Sequence, residues 1–209
     1  MKRNRILSYC HLTNVEVNVN GKLLEIHSGD DVKSWFSNIY NYIGSAYPKF
    51  FKMDRLCKAG LLASDLVMRE SGFFSEEVKE NGAVVCFNSA GSLDDDAIYQ
   101  QTIQQPAEYF PSPAVFVYTL ANIVAGEMCI RHKIMGESSF YISQNFPVGQ
   151  FVAEVEERLA EEGTDFVLGG WVDFDNGKSD VFLMLVVSSG HEGISEFSED
   201  ILIGLLEKR

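Results

Sequence analysis

Residues 139–147 read SFYISQNFP, and this stretch decides the fold. Residues 139–143 predict a strand, and a helix is predicted to follow, because Asn145 suits an N-cap and Pro147 suits a first turn. A strand that runs into a helix holds its junction side chains over backbone N–H groups, which is a common position for a nucleophile. The candidates here are Gln144 and Asn145, and neither side chain is nucleophilic. The sequence therefore predicts a junction shaped like a catalytic site that has no reactive atom.

The flanking sequence alternates between apolar runs and amphipathic segments. Ala83-Val84-Val85-Cys86-Phe87 is unbroken, which favours a strand buried on both faces. Asn20-Gly21 between two β-like runs predicts a hairpin with a type I′ turn. The other predicted elements are strands at 166–172 and 181–187 and helices at 32–43 (capped by Asp30 or Asp31), 54–72, from 94 onward, 145–163, and after Ser195 or Ser198. This order predicts an α/β fold with a layered sheet that helices cover on both faces.

Composition restricts the class of function. The chain has 209 residues, of which 46% are hydrophobic, and a net charge of −13. A surface this negative repels phosphate backbones and anionic headgroups, so nucleic acid and membrane partners are not expected. No repeat or linker divides the sequence, so one domain spanning 1–209 is expected. Four cysteines with no C-x-x-C pair, no signal peptide and no long apolar run favour a reduced, cytoplasmic protein.

The search for motifs gives few candidates. No nucleotide, zinc-protease or hydrolase motif is present, so no cofactor or metal is expected. Asp94-Asp95-Asp96 could suggest a metal site, but a helix start favoured by the dipole is the better interpretation. Arg131-His132-Lys133 is expected to be an exposed helix end. Cys129 and His132 would share one helix face, so a nucleophile pair is conceivable, although no oxyanion hole accompanies it.

Four stretches together resemble the N-terminal half of the β-ketoacyl synthases. They are Phe51-Lys52-Met53-Asp54-Arg55; Asn81-Gly82-Ala83-Val84-Val85-Cys86-Phe87 with Ser89-Ala90-Gly91; Ser112-Pro113, Phe116, Thr119, Asn122, Ala125-Gly126, Ile130-Arg131-His132 and Gly136; and Glu162-Gly163-x-Asp165-Phe166-Val167-Leu168-Gly169-Gly170. The resemblance covers 51–189 and implies a thiolase-like fold with a mixed sheet, half of a complete ketosynthase. Residues 1–50 are a divergent hairpin and helix, and 190–209 form a C-terminal tail helix.

The resemblance also implies that the chain has no catalytic residue of its own. In that family a cysteine nucleophile begins the helix after the strand, and this position falls on Asn145, or on Gln144 if the alignment slips by one. The family's two catalytic histidines belong to a C-terminal half that this sequence lacks. Without covalent catalysis and oxyanion stabilisation, no autonomous synthase activity is expected.

As a synthase relative without a nucleophile, this chain resembles the chain-length-factor subunits of type II polyketide systems. Its short, half-length form resembles the partner subunits of aryl-polyene and flexirubin-type pigment clusters. The resemblance implies a heterodimer with a full-length ketosynthase in which 139–143 lies at the interface. The expected contact surface for the partner, and for the end of its acyl tunnel, is Phe116, Tyr118, Phe140, Tyr141, Ile142 and Phe146. The alternative is that these side chains belong to the ordinary hydrophobic core of the protein.

Two other functions stay open. Glutamine at the nucleophile position is associated in this superfamily with decarboxylation of malonyl-carrier protein, which Gln144 would allow. A homodimeric module that binds acyl-carrier protein or an acyl chain is the second alternative. For that role Lys52 and Arg55, in a cluster with Lys49 and Lys58, could dock an acidic carrier protein, although such residues commonly serve solubility alone.

Overall fold

The computed structural model describes residues 3–29 and 31–208, apart from the side chain of Glu108. Its strands are β1 (Arg5–Thr13), β2 (Val17–Val19), β3 (Lys22–Leu23), β4 (Gly82–Asn88), β5 (Ser138–Ile142), β6 (Phe166–Asp175), β7 (Lys178–Val187) and β8 (Ser195–Glu196). Its α-helices are α1 (Val32–Ile43), α2 (Arg55–Glu70), α3 (Leu93–Ile103), α4 (Pro113–Phe116), α5 (Ile123–His132), α6 (Val148–Ala160) and α7 (Glu199–Leu206). Short 3-10 turns lie at Pro48–Lys52, Pro106–Glu108 and Val117–Thr119.

The strands form one mixed sheet in the order β3-β2-β1-β7-β6-β4-β5, with β8 paired to β1. Strand β4 runs parallel to β5 on one side and to β6 on the other, and the remaining pairs are antiparallel. All seven residues of β4 are buried, as predicted for a strand covered on both faces.

A separate apolar core lies on each face of the sheet. Helices α1, α2 and α5 contribute to the first core, which contains Phe36, Leu62 and Met128. Helices α6 and α7 contribute Phe151 and Leu202 to the second. The predicted α/β class, with helices on both faces, is confirmed.

Close contact between strands requires the glycines of β6. A Cβ at Gly169 would lie 2.3 Å from the carbonyl oxygen of Val85, and one at Gly170 would lie 2.0 Å from that of Phe182. No side chain can occupy either position without moving backbone. The Gly-Gly pair thus sets the spacing of β4, β6 and β7.

Strand β1 is the main element that the sequence pattern does not predict. It pairs with β7 over most of its length and with β2 on its other edge. Ser8 and His11 are buried within it, which breaks the apolar alternation that marks a strand. His11 is accommodated because its Nε2 lies 3.2 Å from Oδ1 of Asp180 on β7.

The predicted turn and cap residues can be compared directly with the structure. Asn20 and Gly21 have φ of 53° and 82° between β2 and β3, which confirms the type I′ hairpin. Asp31 caps α1 by accepting a 2.7 Å hydrogen bond from Ser34 N, while the alternative cap, Asp30, lies outside the described residues. Ser198, not Ser195, caps α7.

Among the described residues, no single helix is long and apolar enough to cross a membrane. The bent pair Pro113–Thr119 and Ile123–His132, which meet at 99°, would satisfy that test only when taken together.

Candidate functional site

Strand β5 forms one outer edge of the sheet. It pairs in parallel with β4, from Val84 opposite Ser138 to Asn88 opposite Ile142. Within the described part of the chain, no strand pairs with its other side. An edge strand presents backbone N–H and C=O groups that can pair with another chain. The predicted interface strand therefore lies where a partner strand could be added.

The side chains of β5 divide between the two faces. Tyr141 stacks on Phe87 with ring centroids 4.8 Å apart, and its hydroxyl donates a 2.7 Å hydrogen bond to Glu154 of α6. Phe140 lies on the opposite face and packs against the core formed with α2 and α5. Both side chains are half-buried, whereas Ile142 is exposed. The strand is thus anchored on both faces while its edge remains open.

A groove of about 490 Å³ runs alongside β5. Leu120, Phe140 and Ile142 contribute its apolar lining, together with polar residues that include Thr119 and Ser139. Phe116 is also exposed on the neighbouring α4, where its ring lies 5.3 Å from that of Tyr99. Tyr118 is half-buried against the first core. Of the predicted contact residues, Phe140 and Ile142 thus line the groove beside the free edge, and Phe116 is exposed on α4.

The strand-to-helix junction occupies 143–147, as predicted. Ser143 N donates a 2.8 Å hydrogen bond to the carbonyl of Asn88, which holds the junction against the end of β4. Gln144 and Asn145 are exposed, whereas Phe146 turns inward. Its ring centroid lies 5.2 Å from that of Phe151 and 5.9 Å from that of Trp171. An aromatic side chain, and neither amide, is directed into the protein here.

The prediction that Asn145 caps α6 is wrong. The N-cap is Pro147, which makes no side-chain cap hydrogen bond, and the helix begins at Val148. The reason is packing, because the half-buried Phe146 holds the chain in a non-helical path before the first turn, with Val148 N bonded to Phe146 O at 3.1 Å. Neither candidate amide therefore forms the predicted cap.

No activated thiol is found among the described residues. Cys10, Cys57 and Cys86 are buried, and burial raises the pKa of each thiol. Burial also raises the pKa of the half-buried Cys129 to about 11. Since the thiolate is the nucleophilic form, these side chains are unreactive near neutral pH.

The conceivable Cys129–His132 pair receives no support from the position of the imidazole. Nε2 of His132 lies 2.8 Å from Oγ of Ser64 on α2. Burial lowers the pKa of His132 to about 4, so the ring is neutral at neutral pH. The histidine is thus a buried hydrogen-bonding group between two helices.

The prediction of an exposed helix end at 131–133 is wrong for Arg131 and His132. The side chain of Arg131 is 7% exposed, and its Nε and Nη2 lie 2.7 and 2.8 Å from the carboxylate oxygens of Asp65, which is 0% exposed. Its guanidinium also lies 4.9 Å from the ring centroids of Tyr47 and Phe74. The cause is that α5 packs on α2 and turns its last residues toward Ser64 and Asp65. The sequence signal that could have indicated this buried contact is the pair of polar residues, Ser64 and Asp65, in the otherwise apolar face of α2.

The predicted docking cations occupy different environments. Lys52 is exposed, and Arg55 Nη1 lies 3.2 Å from Asp94 Oδ1. Lys49 Nζ lies 2.7 Å from the buried Glu127 Oε2, and Lys58 Nζ lies 5.8 Å from the ring centroid of Phe50. Two of the four cations are therefore already paired with carboxylates of this chain.

Asp94, Asp95 and Asp96 form the first turn of α3, as predicted. Asp95 is buried against Asp54, whose carboxylate caps α2 by accepting hydrogen bonds from Leu56 N and Cys57 N. Burial, followed by the charge of Asp54, raises the pKa of Asp95 to about 8. A carboxyl group that keeps its proton at neutral pH thus joins α3 to the start of α2.

This carboxyl group is expected to make stability depend on pH. The folded chain holds the proton of Asp95 more tightly than the unfolded chain does. The stability that the protonated carboxyl group contributes is therefore complete below the ordinary pKa of 3.8 and is lost as the pH rises to about 8. We expect the free energy of unfolding to fall by up to roughly 1 kcal/mol per pH unit across that range. Asp95→Asn, which has no proton to lose, should remove this part of the slope in urea unfolding at pH 5, 6.5 and 8.

Asp96→Asn is the matched control, because Asp96 is exposed in the same turn and should keep the slope of the unsubstituted chain. Equal slopes for Asp95→Asn and the unsubstituted chain would contradict the assignment.

No protein-family model matches the sequence, and no curated protein matches it. Solved structures do match. The ishigamide ketosynthase/chain length factor superposes with a TM-score of 0.65 at 16% identity, covering 91% of this chain and 63% of that chain. A β-ketoacyl synthase from Burkholderia phymatum gives 0.58 at 11% identity, covering 98% and 61%. A ketosynthase in complex with its chain length factor from Xenorhabdus doucetiae gives 0.56 at 12% identity, covering 100% and 93%.

These matches show a fold shared with the ketosynthases, as predicted. The chain spans somewhat over three fifths of the first two matched chains, at 63% and 61%, and nearly all of the third, at 93%.

Proposed function

We propose that this chain is a non-catalytic ketosynthase-like subunit that pairs with a catalytic ketosynthase and either stabilises it or limits the length of its acyl product. The observation that carries the proposal is the open edge of β5, which lies next to a junction without a thiol. Two of the matched structures bear names that include both a ketosynthase and a chain length factor, which supports a partner of that class.

The geometry of the edge supports the proposed pairing. A partner strand that runs antiparallel to β5 would satisfy the backbone groups on its open side and extend the sheet across the interface. The groove beside β5 would then receive apolar side chains of the partner against Leu120, Phe140 and Ile142. Burial of such a patch stabilises association by about 25 cal/mol for each Å² of apolar surface removed from water.

The junction supports the proposed lack of catalysis. A condensing enzyme must hold its acyl group on a nucleophile, and covalent catalysis here would need a thiolate or an equivalent group at 143–147. The exposed side chains there are the amides of Gln144 and Asn145, and the inward side chain is the phenyl ring of Phe146. In this proposal the partner performs the whole of the chemistry.

Co-expression with a full-length ketosynthase tests the pairing. We expect a 1:1 complex that elutes as one species in gel filtration at micromolar concentration. Separate elution of the two proteins, with each of them folded, would contradict the proposal.

The chain alone is expected to be inactive. Incubated with malonyl-carrier protein, it should yield neither acetyl-carrier protein nor a condensation product above the rate in buffer, because the junction offers no thiol to hold an acyl intermediate. Acetyl-carrier protein formed by the chain and lost in Gln144→Ala would instead support the decarboxylase function. Ser143→Ala serves as the matched junction variant.

Docking of acyl-carrier protein at Lys52 and Arg55 stays a prediction. Lys52 is exposed and so accessible to an acidic partner, but Arg55 would have to share its guanidinium with Asp94. The double variant Lys52→Glu/Arg55→Glu should abolish binding of carrier protein if this surface docks it, and unchanged binding would exclude the surface.

A further inference from the structure

Helix α3 lies beside the groove at β5 and is packed loosely on the rest of the protein. Of the residues of Leu93–Ile103, all of which the structure describes, Asp95 alone is buried, at 7% exposure. A surface helix ordinarily buries an apolar stripe. In α3 the apolar side chains are half-buried or exposed, and that of Leu93 is 62% exposed. The buried contact of this helix is therefore a carboxyl group.

Asp95 meets a second carboxyl group at the start of α2. Its side chain is hydrogen-bonded to that of Asp54, the N-cap of α2. Asp54 already accepts 3.1 Å hydrogen bonds from Leu56 N and Cys57 N, so it is the ionised partner and the O–H of Asp95 donates. A hydrogen bond from a neutral acid to a carboxylate is charge-assisted and strong. Loss of the proton would replace that bond with two carboxylates in contact.

The surroundings of Asp95 favour the protonated form. Burial, followed by the charge of Asp54, raises the pKa of Asp95 to about 8. The ion pair of Arg55 with Asp94, 3.2 Å long, offsets only part of the repulsion, since the side chain of Arg55 is 50% exposed and water screens it. The titratable groups that interact with Asp95 are Asp54, Arg55, Cys57 and Lys58 on α2, Asp94 on α3 and Tyr118 on the 3-10 turn that follows α4.

Helix α3 is joined to one wall of the groove at β5. Ser92, its N-cap, lines the groove, and Ser92 Oγ donates a 2.8 Å hydrogen bond to the carbonyl of Thr119. Thr119 and Leu120 line the same groove. Further along the helix, the ring of Tyr99 lies 5.3 Å from that of Phe116 on α4. Movement of α3 away from α2 would therefore displace the wall against which a partner packs.

We propose that the carboxyl groups of Asp95 and Asp54 form a proton-dependent latch. The latch holds α3 on α2 while Asp95 is protonated, and ionisation of Asp95 releases α3 together with the groove wall at Thr119 and Leu120. Its consequence for pairing at β5 rests on the proposed function, whereas the latch itself belongs to this chain alone.

Hydrogen exchange of the isolated chain, followed by mass spectrometry, tests the latch without a partner. Each rate is compared with that of an unstructured peptide at the same pH, which gives a protection factor. Between pH 6 and pH 8 the protection factors of 93–103 should fall by at least about tenfold, because each pH unit below the raised pKa favours opening by up to about tenfold. They should also stay below those of β4 at each pH, because α3 opens while the sheet remains folded.

Asp95→Asn keeps a hydrogen-bond donor for Asp54 but has no proton to lose, so its protection factors at 93–103 should be equal at pH 6 and pH 8. Asp96→Asn, exposed in the same turn, is the matched control and should show the full fall. A fall that persists in Asp95→Asn would assign the pH dependence to another group, such as Lys58, and overturn the proposal. Equal protection of 93–103 and β4 would show that α3 opens only when the whole chain unfolds, which would overturn it as well.

Titration of the chain with a full-length ketosynthase tests the consequence for pairing. The apparent dissociation constant should rise by about tenfold from pH 6 to pH 8, because only the closed latch presents the complete groove. For Asp95→Asn it should stay constant. The same pH dependence in both chains would overturn the coupling between latch and groove. Failure to form a complex at either pH would contradict the proposed function alone, since exchange in the isolated chain decides the latch.

Discussion

Asp65→Ala is expected to lower the free energy of unfolding by about 3–5 kcal/mol, the effect of leaving one charge of a buried ion pair without its partner. The carboxylate of Asp65 accepts two hydrogen bonds from Arg131, and Ser45 Oγ donates a third to Oδ2 at 3.1 Å. The substitution strands the guanidinium between Tyr47 and Phe74. Urea unfolding followed by circular dichroism measures the change.

The exposed pair of Lys133 and Glu76, 3.0 Å apart, is the matched control. Glu76→Ala should leave the unfolding curve nearly unchanged, because the side chain of Glu76 is 80% exposed and water screens the pair. The double variant Asp65→Ala/Arg131→Met should recover part of the lost stability, since it removes the unpaired charge. A curve for Asp65→Ala that matches the unsubstituted chain would contradict the buried network.

Ile142→Arg is expected to weaken association with a ketosynthase by at least about 30-fold, which corresponds to about 2 kcal/mol or more at the centre of an interface. Ile142 is 64% exposed at the end of β5 and lines the groove beside the open edge. A charged side chain there would have to be buried without a partner when a second strand pairs with β5. Gel filtration of the co-expressed pair and a titration of the separate subunits measure the loss.

Leu23→Arg provides a control of the same chemistry. Leu23 is 57% exposed on β3, at the opposite edge of the same sheet, so its substitution should leave association unchanged. Equal weakening by both substitutions would mean that the partner does not select β5. An unchanged affinity for Ile142→Arg would exclude β5 as the interface.

Much of the fold could be predicted because local patterns carried the information. The unbroken apolar run at 83–87, the Asn20-Gly21 turn and the helical spacing in 32–43 each specify one element without knowledge of the rest. Strand β1 could not be predicted in this way. Its Ser8 and His11 read as polar surface, and only pairing with β7 and the contact with Asp180 explain their burial.

The candidate site was predictable in part for a similar reason. The strand and helix around 143–147 follow from local pattern, whereas the cap at Pro147 follows from the packing of Phe146 on Phe151 and on Trp171, of which Trp171 is distant in sequence. The Arg131–Asp65 pair likewise depends on how α5 meets α2. The open edge of β5 depends on the order of all the strands, which no single segment encodes.

The pairing of β5 with a ketosynthase is tested most directly by hydrogen exchange of the backbone amides of 138–142, measured by mass spectrometry with and without the partner. Our account predicts that a full-length ketosynthase slows exchange in this segment, because the outward amides gain hydrogen bonds across the interface. Exchange at β3, on the far edge, should stay the same. An unchanged rate at 138–142 in a complex that forms by gel filtration would contradict the account.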